Sequence, residues 1–450
     1  SINEISTTNN QGVAQTTVTS TQAFDVIVTA RLSNGSHNES PITFIADDKK
    51  GLITLTSNKT QITADNKEQA VLSAVVKDKF GNKLPNVTVN WDINGGTANQ
   101  KETKTNQQGE TAILINTVRA GTITATALLK NGNKDQTTII AVSDPNSATI
   151  SLLANNKTEA IADDNDTITV TAHVVDANNN PLIQQSVFWN ASPNHPNKEI
   201  VKTDIHGNAQ VEIKGKIAQA ITLTGRLDNN KKASIDLLFK PGKVDKTHSH
   251  FKLDPQTIVA NGKNVSIGTI ELKDQFDNPV PKQEKYISLS GNNPTITFSN
   301  VIDKNNGIYQ FEIKGKKEGI SEITAKYGVT NPFLLTQPLG FVADTQNAMI
   351  QSVNVIAPYT VTANGKDSVV IKAHIVDKQG NPSMEGITVG WQTSLGQLSP
   401  LPISKTDKNG VAEIALISTQ AGTAKVTAML DAQEFLEADH DIIFTTDVIS

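Results

Sequence analysis

The chain has 450 residues, 40 Lys plus Arg against 45 Asp plus Glu, a formal net charge of −5 and no cysteine. Disulfides and thiolate zinc sites are thereby excluded, and three dispersed arginines (Arg31, Arg119, Arg226) do not make the clustered basic footprint that nucleic-acid binding needs. No run approaches the ~18 apolar residues of a membrane helix, so this stretch is not membrane-embedded.

Taken in order, residues 1–47 read as the trailing half of a repeat. Asn9-Asn-Gln-Gly12-Val-Ala returns as Asn106-Gln-Gln-Gly109-Glu-Thr-Ala, Asp204-Ile-His-Gly207-Asn-Ala and Asp407-Lys-Asn-Gly410-Val-Ala. A second landmark follows at Phe24, Gly121, Ala220, Gly319 and Gly422, and each unit closes on an apolar strand before Asp47, Asp144, Gly242, Asp344 and Asp447. The half unit lacks its first strands, so an exposed edge is expected there.

The first full unit predicts strands over 52–57, 61–64, 70–77, 88–93, 101–105, 110–116, 121–129 and 137–142. In Ala70–Lys77, Leu72, Ala74 and Val76 alternate with Ser73, Val75 and Lys77, the period-two pattern of a half-buried strand. After it comes Asp78-Lys-Phe-Gly-Asn-Lys-Leu-Pro85. Related turns are Asp176-Ala-Asn-Asn-Asn-Pro181, Asp274-Gln-Phe-Asp-Asn-Pro279 and Asp377-Lys-Gln-Gly-Asn-Pro382. The leading aspartates fall at 78, 176, 274 and 377, a period of one small sandwich domain. Asn and Gly tolerate positive φ and Pro restarts an extended strand, so these turns read as scaffold rather than as a site. Seven or eight short strands per unit predict an all-β fold, a linear tandem array of immunoglobulin-like β-sandwiches over 48–144, 145–242, 243–344 and 345–450. Connections with almost no linker predict a stiff string.

Trp91, Trp189 and Trp391 follow the turns at equivalent positions, and Ile287 is taken to replace Trp in the third unit, predicting that this unit is the least stable. His173 and His374 alternate away from the apolar face and read as solvated. His248-Ser-His250 offers two imidazoles without a third ligand, and Asp163-Asp-Asn-Asp166 lacks the spacing of a calcium loop. No nucleophile elbow, phosphate loop or His-Glu-x-x-His is present. The chain is not expected to be an enzyme, and no cofactor or metal is assigned.

Thr-Ala-Asp65 or Ala-Asn-Gly (at 261–262 and 364–365), the Asp-x-x-x-Asn turn, Val-x-Trp and Thr-Asp/Asn-x-x-Gly-x-Ala occur jointly and in order. Together they resemble the bacterial immunoglobulin-like group 1 domain, the tandem module of intimin- and invasin-type adhesins, across essentially the whole chain. That resemblance implies an extracellular location on the bacterial surface, with an outer-membrane anchor in a region outside this stretch. It also implies attachment to a host cell-surface or extracellular-matrix protein by a monomeric chain. The alternative is a passive stalk that projects a separate adhesive tip. Loops that break the repeat are the candidate contact residues: Asn194 and His195, Asn292 and Asn293, and Gln397.

Overall fold

Alternation decides the layers. In Ala70–Lys77 the residues Ala70, Leu72, Ala74 and Val76 are fully buried while Lys77 faces solvent. Strands of this kind can bury one face only by packing two sheets together. The computed structural model describes residues 1–446 except 383, 432 and 433; Asp447, the predicted close of the last unit, lies outside the described residues. By contact the chain forms two units. One holds Ser1–Ala160, Asp164–Gly215 and Gln219–Phe239; the other holds Ile161–Asp163, Lys216–Ala218 and the residues from Lys240 onward.

The first full repeat sets the pattern. One sheet has the order Leu52–Ser57, Ala70–Lys77, Glu110–Asn116, Thr97–Ala98. The other runs Gln61–Thr63, Lys134–Val142, Gly121–Leu129, Thr88–Asn94, Glu102–Lys104. All pairs are antiparallel except Gln61–Thr63, which lies parallel to Lys134–Val142 and so carries the first strand of the repeat across to the second sheet. The following repeats keep two sheets each. In the last one the second sheet divides where Gly422–Ala424 and Val426–Met429 are separated at Lys425. The first 47 residues carry one hairpin, Asp25–Arg31 with His37–Thr43, whose flanking Phe24 and Phe44 rings lie 6.0 Å apart.

Cross-strand register corrects two assignments made from sequence. Trp91 pairs with Ala127, Trp189 with Gly225 and Trp391 with Ala428, and the residue paired with the equivalent Ala325 is Leu289. Leu289, not Ile287, therefore stands at the tryptophan position of the third domain. Ile287 pairs with Tyr327, as Val89 pairs with Leu129. Likewise Gln219, whose carbonyl accepts from Phe239 N, takes the landmark place given to Ala220.

The third domain carries an aromatic cluster elsewhere in its core. Tyr309 and Phe311 are buried at 0% and 2% exposure, and Phe251 and Phe298 pack their rings 6.0 and 6.2 Å from Phe311. Gly268 makes the room: a Cβ there would sit 2.4 Å from the Phe311 ring. In the other domains a threonine hydroxyl lies beneath the turn, Thr105 donating to Leu84 O and Thr203 and Thr406 to Leu182 O and Met384 O. In the third domain Tyr309 Oη donates to Val280 O at 2.7 Å and accepts from Gln283 N at 3.0 Å. Burial pushes its phenol pKa up to about 12. The third domain therefore does not lack buried aromatic surface, although its tryptophan position holds the smaller Leu289.

The tryptophans differ in one respect. Trp91 Nε1 donates to Thr103 Oγ1 and Trp391 Nε1 to Ser404 Oγ, both at 2.8 Å. In the second domain the corresponding residue is Val201, paired with Val187 as Thr103 is with Val89. Trp189 Nε1 is the one buried side-chain atom without a hydrogen-bond partner among the described residues.

Two outcomes follow from these hydroxyls. Val201→Thr should supply the absent acceptor and raise the stability of the second domain by about 1 kcal/mol, read from urea unfolding monitored by Trp189 fluorescence; an unchanged or lower midpoint contradicts it. Tyr309→Phe should strand Val280 O and Gln283 N and cost ~1–3 kcal/mol in the third domain, measured by the same titration with hydrogen exchange to localise the loss.

Candidate functional site

The Asp-x-x-x-Asn turns, expected to be scaffold alone, form a polar site repeated in all four full domains. A carboxylate four residues ahead of a carboxamide can bind it and the turn's own N–H groups together, because a tight turn folds the two side chains onto one another. Asp377 illustrates the arrangement. Its Oδ1 accepts from Gln379 N and Asn381 N at 2.8 and 2.9 Å. Its Oδ2 accepts from Asn381 Nδ2 at 2.8 Å and from Asp344 N at 3.0 Å. Asp344 belongs to the short connection that precedes the domain. The aspartate therefore closes its own turn, aims the asparagine and grips the incoming chain.

The asparagine then reaches backwards. Asn381 Nδ2 donates to Lys316 O at 3.0 Å and its Oδ1 accepts from Glu318 N at 2.9 Å, both on a loop of the third domain. In the other unit Asn180 does the same with Val118 O and Ala120 N, at 2.9 and 2.8 Å, while Asp176 Oδ2 holds Asp144 N. Asn82 takes Thr21 O and Ala23 N in the opening half domain, while Asp78 Oδ2 holds Asp47 N. Asn278 engages Lys216 O and Ala218 N, and Asp274 Oδ2 accepts from Gly242 N.

Each asparagine matches its partners as an isosteric peptide group does, donating to one carbonyl and accepting from the N–H two residues on. Leucine or alanine cannot do this, and aspartate would set a carboxylate against a carbonyl. The aspartates Asp78, Asp176, Asp274 and Asp377 are all less than 5% exposed. For Asp78 and Asp377, burial alone would raise the pKa. Hydrogen bonds from the asparagine side chain, the turn N–H groups and the N–H of Asp47 or Asp344 together outweigh it and hold the pKa below the usual carboxylate value.

The three hydrogen bonds that the aspartate–asparagine pair gives each joint, at a net ~0.5–1.5 kcal/mol each, contribute roughly 3 kcal/mol toward the closed arrangement. The asparagines lie 59, 60, 60 and 63 residues beyond the N–H groups they accept from, a regularity that follows the repeat but marks no residue type in the sequence.

The loop residues named from sequence lie on three different domains. Asn194 is buried, with its carboxamide against Gly215, where any Cβ would come within 2.0 Å of it, whereas His195 is exposed. Asn292 Oδ1 accepts from Glu322 N. Asn293 binds Thr295 through Oδ1 and donates to Lys317 O, which props the lysine-bearing loop of the third domain. Gln397 is exposed at the start of a strand paired with Ile417. Asp245, next to the paired histidines, accepts from Thr247 and His248, which lower its pKa to about 2. Among the described residues no three His, Asp or Glu side chains converge as a metal site.

The geometry has relatives. The model of the bacterial Ig-like domain (group 1) matches residues 52–142, 150–240, 248–336 and 343–445. The inverse autotransporter adhesin YeeJ of Escherichia coli (strain K12) is 25% identical over 452 residues, covering 94% of this chain and 19% of that protein. Intimin of Citrobacter freundii is 30% identical over 227 residues, covering 48% of this chain and 24% of that protein. The chain thus spans less than a quarter of either relative. Among solved structures, invasin, described as a bacterial integrin-binding protein, aligns with a TM-score of 0.46 at 16% identity, over 87% of this chain and 79% of that chain.

Acid should weaken the joints built on Asp78 and Asp377. A carboxylate whose pKa is depressed on folding contributes stability above the unfolded value of ~3.9 and loses it as pH falls through the lower folded value. The expected profile is a melting temperature flat from neutral pH to about pH 5 and falling below about pH 4. Asp377→Asn should lower the neutral-pH stability of the fourth domain by ~1–3 kcal/mol and shrink its acid-dependent part. A variant with the wild-type profile contradicts the assignment.

Proposed function

Because the chain belongs to the bacterial Ig-like domain (group 1) family, we propose that it is an extracellular section of a bacterial surface adhesin whose own task is that of a stiffened spacer. The joint carries this reading: the same aspartate–asparagine pair in every full domain is committed to the preceding segment. Residues devoted to holding neighbours in register serve a section that must keep its domains ordered. Adhesins among its relatives, YeeJ and intimin by name, support the setting. Among the described residues no helix is long and apolar enough to cross a membrane. On this reading the membrane anchor is supplied outside the section, which acts as a monomer.

Direct attachment to a host cell-surface or matrix protein is the second reading. Its support is that His195 and Gln397 stand exposed on parts of the chain that depart from the repeat.

Two measurements separate them. Small-angle scattering of the Asn180→Ala/Asn381→Ala double variant should show a broader distribution of domain arrangements than the parent, with each domain still melting cooperatively; an unchanged profile removes the spacer argument. The intact chain should show no saturable binding to matrix proteins or epithelial cells at ~0.15 M salt, where surface charge is screened. Saturable protein binding lost on changing His195 or Gln397 establishes the second reading instead.

A further inference from the structure

The joint between the third and fourth domains has an electrostatic character that the joint between the first and second domains lacks. Three separate elements bring lysines to it. The loop after Ile308–Lys314 presents Lys316 and Lys317, the Asn261–Asn264 turn presents Lys263, and the Asp377 turn presents Lys378. All four are exposed, and none forms an ion pair among the described residues.

Their backbones are held rather than loose. Thr295 Oγ1 accepts from both Lys316 N and Lys317 N at 3.1 Å, Asn381 Nδ2 binds Lys316 O, and Asn261 Oδ1 accepts from Lys263 N at 2.9 Å. Gly262 lets the Lys316 stem pass close by, since a Cβ there would lie 3.0 Å from Lys316 Cε. Two clefts, of about 970 and 760 Å³, share Glu318, Lys378 and Gln379 as a common wall. Lys263 lines the larger cleft, and Lys316 and Lys317 line the smaller.

The acids lining the two clefts are Glu318 and Asp344, and Asp344 Oδ2 is already engaged by Asn347 Nδ2. At the corresponding positions of the joint between the first and second domains stand Arg119 and Lys67 against Asp65, Glu68 and Asp144. One joint is net basic and the other net acidic on the same scaffold. The difference is therefore not a requirement of the fold.

We propose that this joint binds an anionic polysaccharide, a chain bearing sulfate or uronate groups, through Lys263, Lys316, Lys317 and Lys378. Four lysines on flexible stems suit anions spaced irregularly along a polymer, since each ammonium acts as a point charge rather than as a rigid fork. Gln379 and the Asn264 Nδ2 group add amide groups for hydroxyls. The one aromatic residue lining the clefts, Phe341, is 3% exposed, so no ring face is offered for stacking a neutral sugar or a nucleobase. Two clefts meeting along one wall accept an extended strand rather than a compact ion. The site is independent of whether the section acts as a spacer or attaches directly to a protein.

The test is calorimetric titration of the intact chain with a size-defined heparin oligosaccharide, its desulfated form and poly-glutamate. A variant with Lys263, Lys316, Lys317 and Lys378 changed to Gln is compared with one carrying Lys101, Lys104, Lys130 and Lys134 changed to Gln. Unchanged melting temperatures report that both variants fold. The expected result is saturable heparin binding at ~0.15 M salt that falls at least about tenfold in the joint variant, with a shallower salt slope, and less than about threefold in the control. Desulfation, which leaves only the uronate carboxylates, should weaken binding without abolishing it. Equal losses in the two variants, no saturable binding to the parent chain, or poly-glutamate binding as well as heparin would each overturn the proposal.

Discussion

The buried carboxylate at the head of each Asp-x-x-x-Asn turn is the interaction on which the rest of the array depends. It has four donors around it: two N–H groups of its own turn, the asparagine amide and the N–H of the connecting segment. Removing a charge from water is tolerable only when its lone pairs are filled, and here filling them performs three tasks at once. The turn closes, the connecting segment is pinned, and the asparagine is left in one rotamer with its remaining donor and acceptor pointing at the domain before it. Order between neighbours thus follows from the same group that ends a strand within a domain.

The economy of that arrangement explains where the repeats are free to differ. The joint reads backbone atoms, a carbonyl and an N–H two residues later, so the loop that supplies them can hold Val118-Arg119-Ala120 in one place and Lys316-Lys317-Glu318 in another. Side chains on the loop are unconstrained by the joint and can take on other work. The domain interiors show the same latitude. A threonine hydroxyl beneath the turn is exchanged for the Tyr309 hydroxyl, so that Val280 O keeps a donor, and the indole position is taken by Leu289. Where one partner changed alone, as at Val201 beside Trp189, an unpaired donor remains.

Much of the fold was legible in the residues. Period-two alternation located the strands of the first full domain to within a few positions, and structure adds the short Thr97–Ala98 strand and begins the last strand three residues earlier, at Lys134. The misplacements were of register. Ile287 was aligned to Trp by its distance from the turn, yet cross-strand pairing puts Leu289 there, because the segment after Pro279 contains a helical turn at Glu284–Tyr286 that the other domains lack. Distance along a chain cannot reveal an inserted turn, and hydrogen bonding across a sheet does so at once.

By itself, then, the sequence determined the sandwich, the period and the position of every Asp-x-x-x-Asn turn, since alternation, turn chemistry and repetition are local properties written along the chain. Only the tertiary structure decided what those turns do. The asparagine's partners lie about sixty residues upstream and are backbone atoms, which leave no residue-type signature to read. The same holds for the basic joint. Lys263, Lys316, Lys317 and Lys378 are scattered over more than a hundred positions of an acidic chain, and they line one continuous surface because the third and fourth domains are held together there.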